Sequence, residues 1–196
     1  DLVDRGLAAA RAGTVLINHP RHIENGIYPH VNLYSFGLGP ENINHGGHNQ
    51  SAMRTHPSWG ECSGIFTGLA DAGASMAGNQ VRNLATIGGN LCNCSPCADT
   101  ASPLLVYEAR VRLRGPSGTR EIPLEDFLVG PGQTCSLPDE ILTSVILDPP
   151  TGNNKGTFCK KGRVKMDLAI ASVALRLELD KQTCVRAWLA AGSVDP

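Results

Sequence analysis

Residues 86–99 read TIGGNLCNCSPCAD, and two kinds of chemistry overlap in them. Cys92, Cys94 and Cys97 form C-x-C-x-x-C, a pattern whose thiolates could grip a soft metal ion. Gly88 and Gly89, with Thr86 and Asn90, could instead form a turn whose backbone N–H groups converge on an anion. The metal option falls short in count. Structural zinc sites and most iron–sulfur clusters take four protein ligands, and only Cys94 and Cys97 have C-x-x-C spacing. Cys135 is far off in the chain, and His45, His48 and His56 would have to complete the set from an upstream loop. The alternative is cysteine as a small, buriable residue in a tight segment.

The glycine option has polar neighbours. Gln80, Arg82 and Asn83 precede the pair. Asp99 follows it, and its carboxylate could accept from ribose or ring donors, or cap a helix. Arg82 could meet an anion or sit in a surface ion pair. On these residues alone a nucleotide or flavin site is one option among several.

The elements that must position these residues are partly readable. LVDRGLAAAR reads as a short helix running into the β-like AGTVLIN, a βαβ-type unit without its first strand. PHVNLYS is a further strand candidate, while residues 36–63 show no period and read as loop. Ile65, Leu69, Ala72 and Met76 share one helical face, which Gly78 can end. DTASPLLVYEA reads as a short helix with Asp99 or Ser102 near its start. ARVRLRGPSGTREIPL is a hairpin around GPSG, EILTSVIL is a strand, and VALRLELDKQTCVRAWLAAG is a second hairpin. In that hairpin Val173, Leu175, Leu177 and Leu179 fall on one face. The fold class is α+β, with mostly antiparallel pairing after residue 108.

Bulk composition narrows the function classes. A net charge of −1 argues against a nucleic-acid protein, which needs a basic face. No apolar run approaches the length of a membrane span, and no stretch resembles a signal peptide. The seven cysteines are odd in number and unevenly spaced, so a disulfide framework is not expected. The expected compartment is a reducing cytoplasm. Residue 1 falls inside a helix-like stretch and Pro196 follows a strand-like one, so the expectation is a piece of a longer chain.

NQVRNLATIGGNLCNCSPCADTASPLLVYEARVRL is similar to the central signature of the FAD-binding subunits and domains of molybdenum hydroxylases, the xanthine dehydrogenase and carbon monoxide dehydrogenase type. The resemblance continues through REIPLEDFLVGPGQTCSLPDEILTSVIL and FCKKGRVKMDLAIASVALRLELD, and so covers about residues 64–196. It implies a two-subdomain FAD-binding fold. Residues 1–63 would be a small βαβ-like N-terminal part and 64–150 a larger part with a mixed or antiparallel sheet. Residues 151–196 would be the sheet that begins a truncated C-terminal domain.

The resemblance also implies roles. Ala85, Thr86, Ile87, Gly88, Gly89 and Asn90 match the family's second flavin loop, expected to cradle the FAD pyrophosphate and adjoining ribose. Asp99 matches the acidic residue after the serine–proline pair. Ile141 and Leu142 match an apolar pair near the flavin, and Lys160 (with Lys161 an equal-looking neighbour) a lysine near the isoalloxazine. The family does not require cysteine after the glycines, which favours the packing reading of the thiols. No metal ligand and no catalytic acid, base or nucleophile is expected on this chain. The implied partners are a large molybdopterin subunit and a small subunit with two [2Fe–2S] clusters, in a hetero-oligomer. FAD here would pass their electrons to an acceptor such as NAD, oxygen or a quinone.

Two departures stand out. The family's first flavin loop is close to AGGT, whereas this chain has Arg11-Ala12-Gly13-Thr14, so only Gly13 and Thr14 match. An apolar strand is expected where NQSAMRTH stands. These leave a second expectation, a structural or assembly subunit that kept the fold and lost FAD. A cysteine-based metal-binding module is the third.

Overall fold

A computed structural model describes residues 31–32, 66–78, 81, 87–148 and 150–194. The expected N-terminal helix and strand, the loop at 36–63 and the proposed first flavin loop lie outside the described residues.

Strand β1 (Val31–Asn32) is the described part of the PHVNLYS segment. Helix α1 spans Thr67–Ser75 and buries Gly68, Leu69, Ala72 and Gly73. Leu69, Ala72 and Met76 lie on one stripe, as their i, i+3, i+7 spacing dictates. The helix stops at Ser75, ahead of Gly78, because Met76 turns extended and Ala77 takes a left-handed φ of 39°. Helix α2 (Ile87–Asn93) follows, and Cys94, at φ 46°, terminates it. Helix α3 (Ala101–Val106) starts from Thr100.

The chain then becomes mostly β. Strands β2 (Arg110–Gly115) and β3 (Gly118–Pro123) form the expected hairpin. Gly118, at φ 124°, closes a turn that an L-side chain rarely tolerates. A short helix α4 (Leu124–Phe127) leads into a small hairpin, β4 (Leu128–Gly130) with β5 (Gln133–Thr134). Strand β6 (Ile141–Leu147) returns to pair antiparallel with both β2 and β1, giving the order β1-β6-β2-β3. Strands β7 (Asn153–Lys161), β8 (Ala171–Asp180) and β9 (Thr183–Gly192) make a separate antiparallel sheet in sequence order. The architecture is α+β with antiparallel sheets, as expected.

Helices join the two larger sheets. α1 packs on β7, α3 lies against β8 and β9, and α2 touches β6. One apolar cluster runs from Val111, Leu113 and Leu142 through Leu91, Leu104 and Leu69 to Phe158 and Ala174. Burial of this continuous core is the main force holding both sheets to the helices.

Candidate functional site

The glycine pair does not sit in an open turn. Gly88 and Gly89 belong to α2, with Gly88 buried and Gly89 half-buried. The local cause is Ile87 and Leu91, four residues apart, which are both buried and pull one helical stripe onto the core. Asn90 follows on the same helix. Its Oδ1 accepts a 2.6 Å hydrogen bond from the Thr100 hydroxyl. Ala85 and Thr86, like Gly13 and Thr14, lie outside the described residues, as do Gln80, Arg82 and Asn83.

The three cysteines serve packing and loop anchoring. Cys94 is buried, and its thiol lies 3.2 Å from both the Gly130 and Gln133 carbonyls. The Cys94 carbonyl accepts from the Gly132 N–H at 2.8 Å, so the end of α2 is tied to the β4–β5 turn. Cys97 contacts the Ser95 hydroxyl at 3.1 Å. Cys92 packs against the core, and burial pushes its thiol up to about 11, with the neighbouring Cys94 adding to the rise. Among the described residues no group of three or more His, Cys, Asp or Glu side chains is placed to hold a metal. His45, His48 and His56 are outside them.

Asp99 and Lys160, far apart in sequence, meet. Asp99 Oδ2 and Lys160 Nζ are 2.6 Å apart, with side chains 6% and 8% exposed. Nζ also reaches the Ser75 carbonyl at 3.4 Å. Strand β7 delivers the lysine, the turn before α3 delivers the aspartate, and the end of α1 supplies the carbonyl. Asp99 is therefore not the cap of α3; that position belongs to Thr100. Burial raises the Asp99 carboxyl above its ordinary value, and the hydrogen bond and charge of Lys160 pull it part of the way back. Its second oxygen, Oδ1, is buried and has no hydrogen-bond partner among the described residues. A buried carboxylate oxygen left open in this way fits a ligand that brings a hydroxyl or N–H donor.

Ile141 and Leu142 open β6, opposite Arg114 and Leu113. Leu142 belongs to the apolar cluster, and Ile141 is half-buried. A cavity of about 270 Å3 lies between α2, α3, the β4–β5 turn and the end of β9. Asn90, Leu91, Ser102, Gly130 and Gly192 line it; Asp99, Lys160, Ile141 and Leu142 do not. The Ser102 hydroxyl is buried and lacks a hydrogen-bond partner among the described residues. Sequence reasoning missed the parts played by Thr100, Ser75 and Ser102. Thr100 looks like an ordinary helix cap, and Ser75 acts through its backbone.

Residues 51–150 match the family described as the FAD binding domain in molybdopterin dehydrogenase, so the chain belongs to that family and carries an FAD-binding domain. The chain is 36% identical over 130 residues to a xanthine dehydrogenase FAD-binding subunit of Escherichia coli O157:H7, a match covering 65% of this chain and 44% of that protein. It is 37% identical over 108 residues to a nicotinate dehydrogenase FAD-subunit of Eubacterium barkeri, covering 54% of this chain and 36% of that one. The fold resembles the carbon monoxide dehydrogenase of Hydrogenophaga pseudoflava with a TM-score of 0.69 at 25% identity, over 75% of this chain and 50% of that chain. The chain thus spans about half the length, or less, of the proteins it matches. These relatives are subunits of oxidoreductases.

Proposed function

We propose that this chain is the FAD-binding electron-transfer subunit of a molybdopterin-dependent hydroxylase or dehydrogenase. The observation that carries the reading is the buried Asp99–Lys160 pair with one carboxylate oxygen left open, inside or beside the segment that matches the family. Bound FAD supplies reversible one- and two-electron chemistry, and the protein supplies placement and charge. Asp99 Oδ1 accepts from a ribityl, ribose or ring donor. Lys160 holds positive charge close by, kept in place by Asp99 and the Ser75 carbonyl. Gly88, Gly89 and Asn90, with Ala85, Thr86 and Ile87, line the pyrophosphate, where small residues admit the ligand and N–H groups meet its charge. Gly13 and Thr14 contribute from the first loop, and Ile141 and Leu142 the apolar wall.

In this reading residues 1–63, 64–150 and 151–196 are the first flavin subdomain, the second, and the start of a C-terminal domain. The partners are a large molybdopterin subunit and a small [2Fe–2S] subunit, whose electrons reach FAD on this chain. The six described cysteines are free, which suits a reducing cytoplasm. Among the described residues no helix is long and apolar enough to cross a membrane. The second reading, an assembly subunit without FAD, is favoured by Arg11 and Ala12 in the first loop.

An absorption spectrum of the purified chain with added FAD separates the two. A structured flavin band that is lost in Gly89→Val, in a protein whose far-UV circular dichroism is unchanged, supports FAD binding. No flavin in the folded wild-type chain supports the assembly subunit.

A further inference from the structure

We infer that Thr100 is a positioning residue: its hydroxyl fixes the side-chain amide of Asn90 so that the amide N–H groups, and not the carbonyl, face the bound pyrophosphate. The inference rests on the FAD reading above. Thr100 occupies the N-cap of α3, where a threonine hydroxyl ordinarily accepts from a backbone N–H of the first helical turn. Here it makes no such cap bond. It donates instead across to Asn90 Oδ1 at 2.6 Å, from a residue only 1% exposed. The helix forgoes its cap, and the hydroxyl is spent on a neighbouring helix.

The consequence follows from amide chemistry. An asparagine side chain has one acceptor end and one donor end. Thr100 occupies the acceptor end of Asn90, which leaves Nδ2 with its two N–H groups as the end available to a ligand. Asn90 is half-buried and directly follows Gly88 and Gly89 in the segment assigned above to the pyrophosphate, so a ligand held there is within its reach. The pyrophosphate of FAD offers only acceptor oxygens and negative charge. A freely rotating amide would present its carbonyl to those oxygens part of the time, with repulsion in place of a hydrogen bond. The buried hydroxyl removes that wrong orientation before the ligand arrives.

The test is FAD titration of the full chain, read by flavin fluorescence, with far-UV circular dichroism to report folding. Thr100→Val keeps the shape and removes the hydroxyl; FAD affinity should fall about tenfold, the worth of one hydrogen bond to a charged ligand's anchor. Thr100→Ser should bind within about twofold of wild type on the same reasoning. In the Asn90→Ala background Thr100→Val should cost nothing further, because the two residues act as one unit. Asn90→Asp leaves Thr100 and its bond intact but takes away the N–H donors, and should also lose FAD at least about tenfold. Equal FAD affinity in Thr100→Val and wild type overturns the inference while the FAD reading stands. So does a Thr100→Val loss that persists in Asn90→Ala, or an Asn90→Asp chain that binds normally. A folded wild-type chain that binds no FAD overturns both.

Discussion

Asp99 and Lys160 form an ion pair whose two side chains are both buried. Two opposite charges, both nearly out of water, have lost most of their hydration, and their mutual attraction restores only part of it. Lys160→Met would leave the carboxylate buried with no cation. The expected loss is about 3–5 kcal/mol at pH 7, measured as a shift in the urea midpoint. The sign of its pH dependence is fixed by Asp99, whose carboxyl in the folded chain already lies above its ordinary 3.8. A raised carboxyl binds its proton more tightly folded than unfolded. Its contribution therefore favours the fold at low pH and is lost as pH rises through the folded value. Removing the lysine raises that value further, so the Lys160→Met deficit should shrink as pH is lowered from 7 toward 4. Asp99→Asn combined with Lys160→Met should recover most of the loss at pH 7, since no buried charge remains. A Lys160→Met chain as stable as wild type at pH 7 would contradict the buried pair. Asp99 and Lys160 were both legible in the sequence as separate residues through the family resemblance. Their contact was not, because nothing in local spacing links positions on a turn and on a strand so far apart in the chain.

At the scale of elements, α1 and β7 approach closely because glycine stands on both sides. A Cβ on Gly68 would meet the Thr157 carbonyl oxygen at 3.0 Å. A Cβ on Gly156 would run into the Tyr107 hydroxyl. Tyr107 is buried, and its ring stands edge-on to Phe66 with centroids 4.9 Å apart, so it has little room to retreat. Gly156→Ala should therefore cost about 1–3 kcal/mol by overpacking. That corresponds to a fall in Tm of about 2–4 °C per kcal/mol for a chain of this size. A Tm equal to wild type would show that Tyr107 and β7 can draw apart freely. Hairpins and the α1 stripe were readable because their periods are strong and local: Arg110–Gly115 pairs with Gly118–Pro123 residue for residue. Helix α2 was not. Two glycines carry the poorest helix propensity short of proline, and only the tertiary burial of Ile87 and Leu91 overrides it. Strand β7 was also missed, since NNKGTFCKK has neither β-branched density nor an apolar face of its own; Phe158 is its one buried apolar residue.

Across the whole molecule, the sheet of β7, β8 and β9 has two unlike faces. Ser172, Ala174 and Arg176 point toward the helices, whereas Val173 and Leu189 are exposed on the other side, 37% and 68%. The sequence shows that Val173, Leu175, Leu177 and Leu179 share a face, but alternation alone cannot say which face meets the core. Arg176 decides it. This guanidinium donates to the Val106 carbonyl at 3.2 Å and to Glu108 at 3.1 Å, and its Nε donates to Asn154 at 3.1 Å. It also lies 3.8 Å from the centre of the Trp188 ring. One side chain thus joins β8 to the end of α3, to β7 and to β9. Arg176→Leu retains an aliphatic stem but leaves the Val106 carbonyl without this buried donor. It should lower stability by about 1.5–3 kcal/mol, the range for a hydrogen bond to a charged group. Because the tie runs between the sheet and the rest of the core, the loss should also be uneven. With Trp59→Phe as the common background, so that Trp188 on β9 is the sole tryptophan, the fluorescence transition of Arg176→Leu in urea should precede the far-UV circular dichroism transition, as the three-stranded sheet releases first. Coincident transitions at the wild-type midpoint would mean that apolar burial alone, through Phe158 and Ala174, holds the sheet in place.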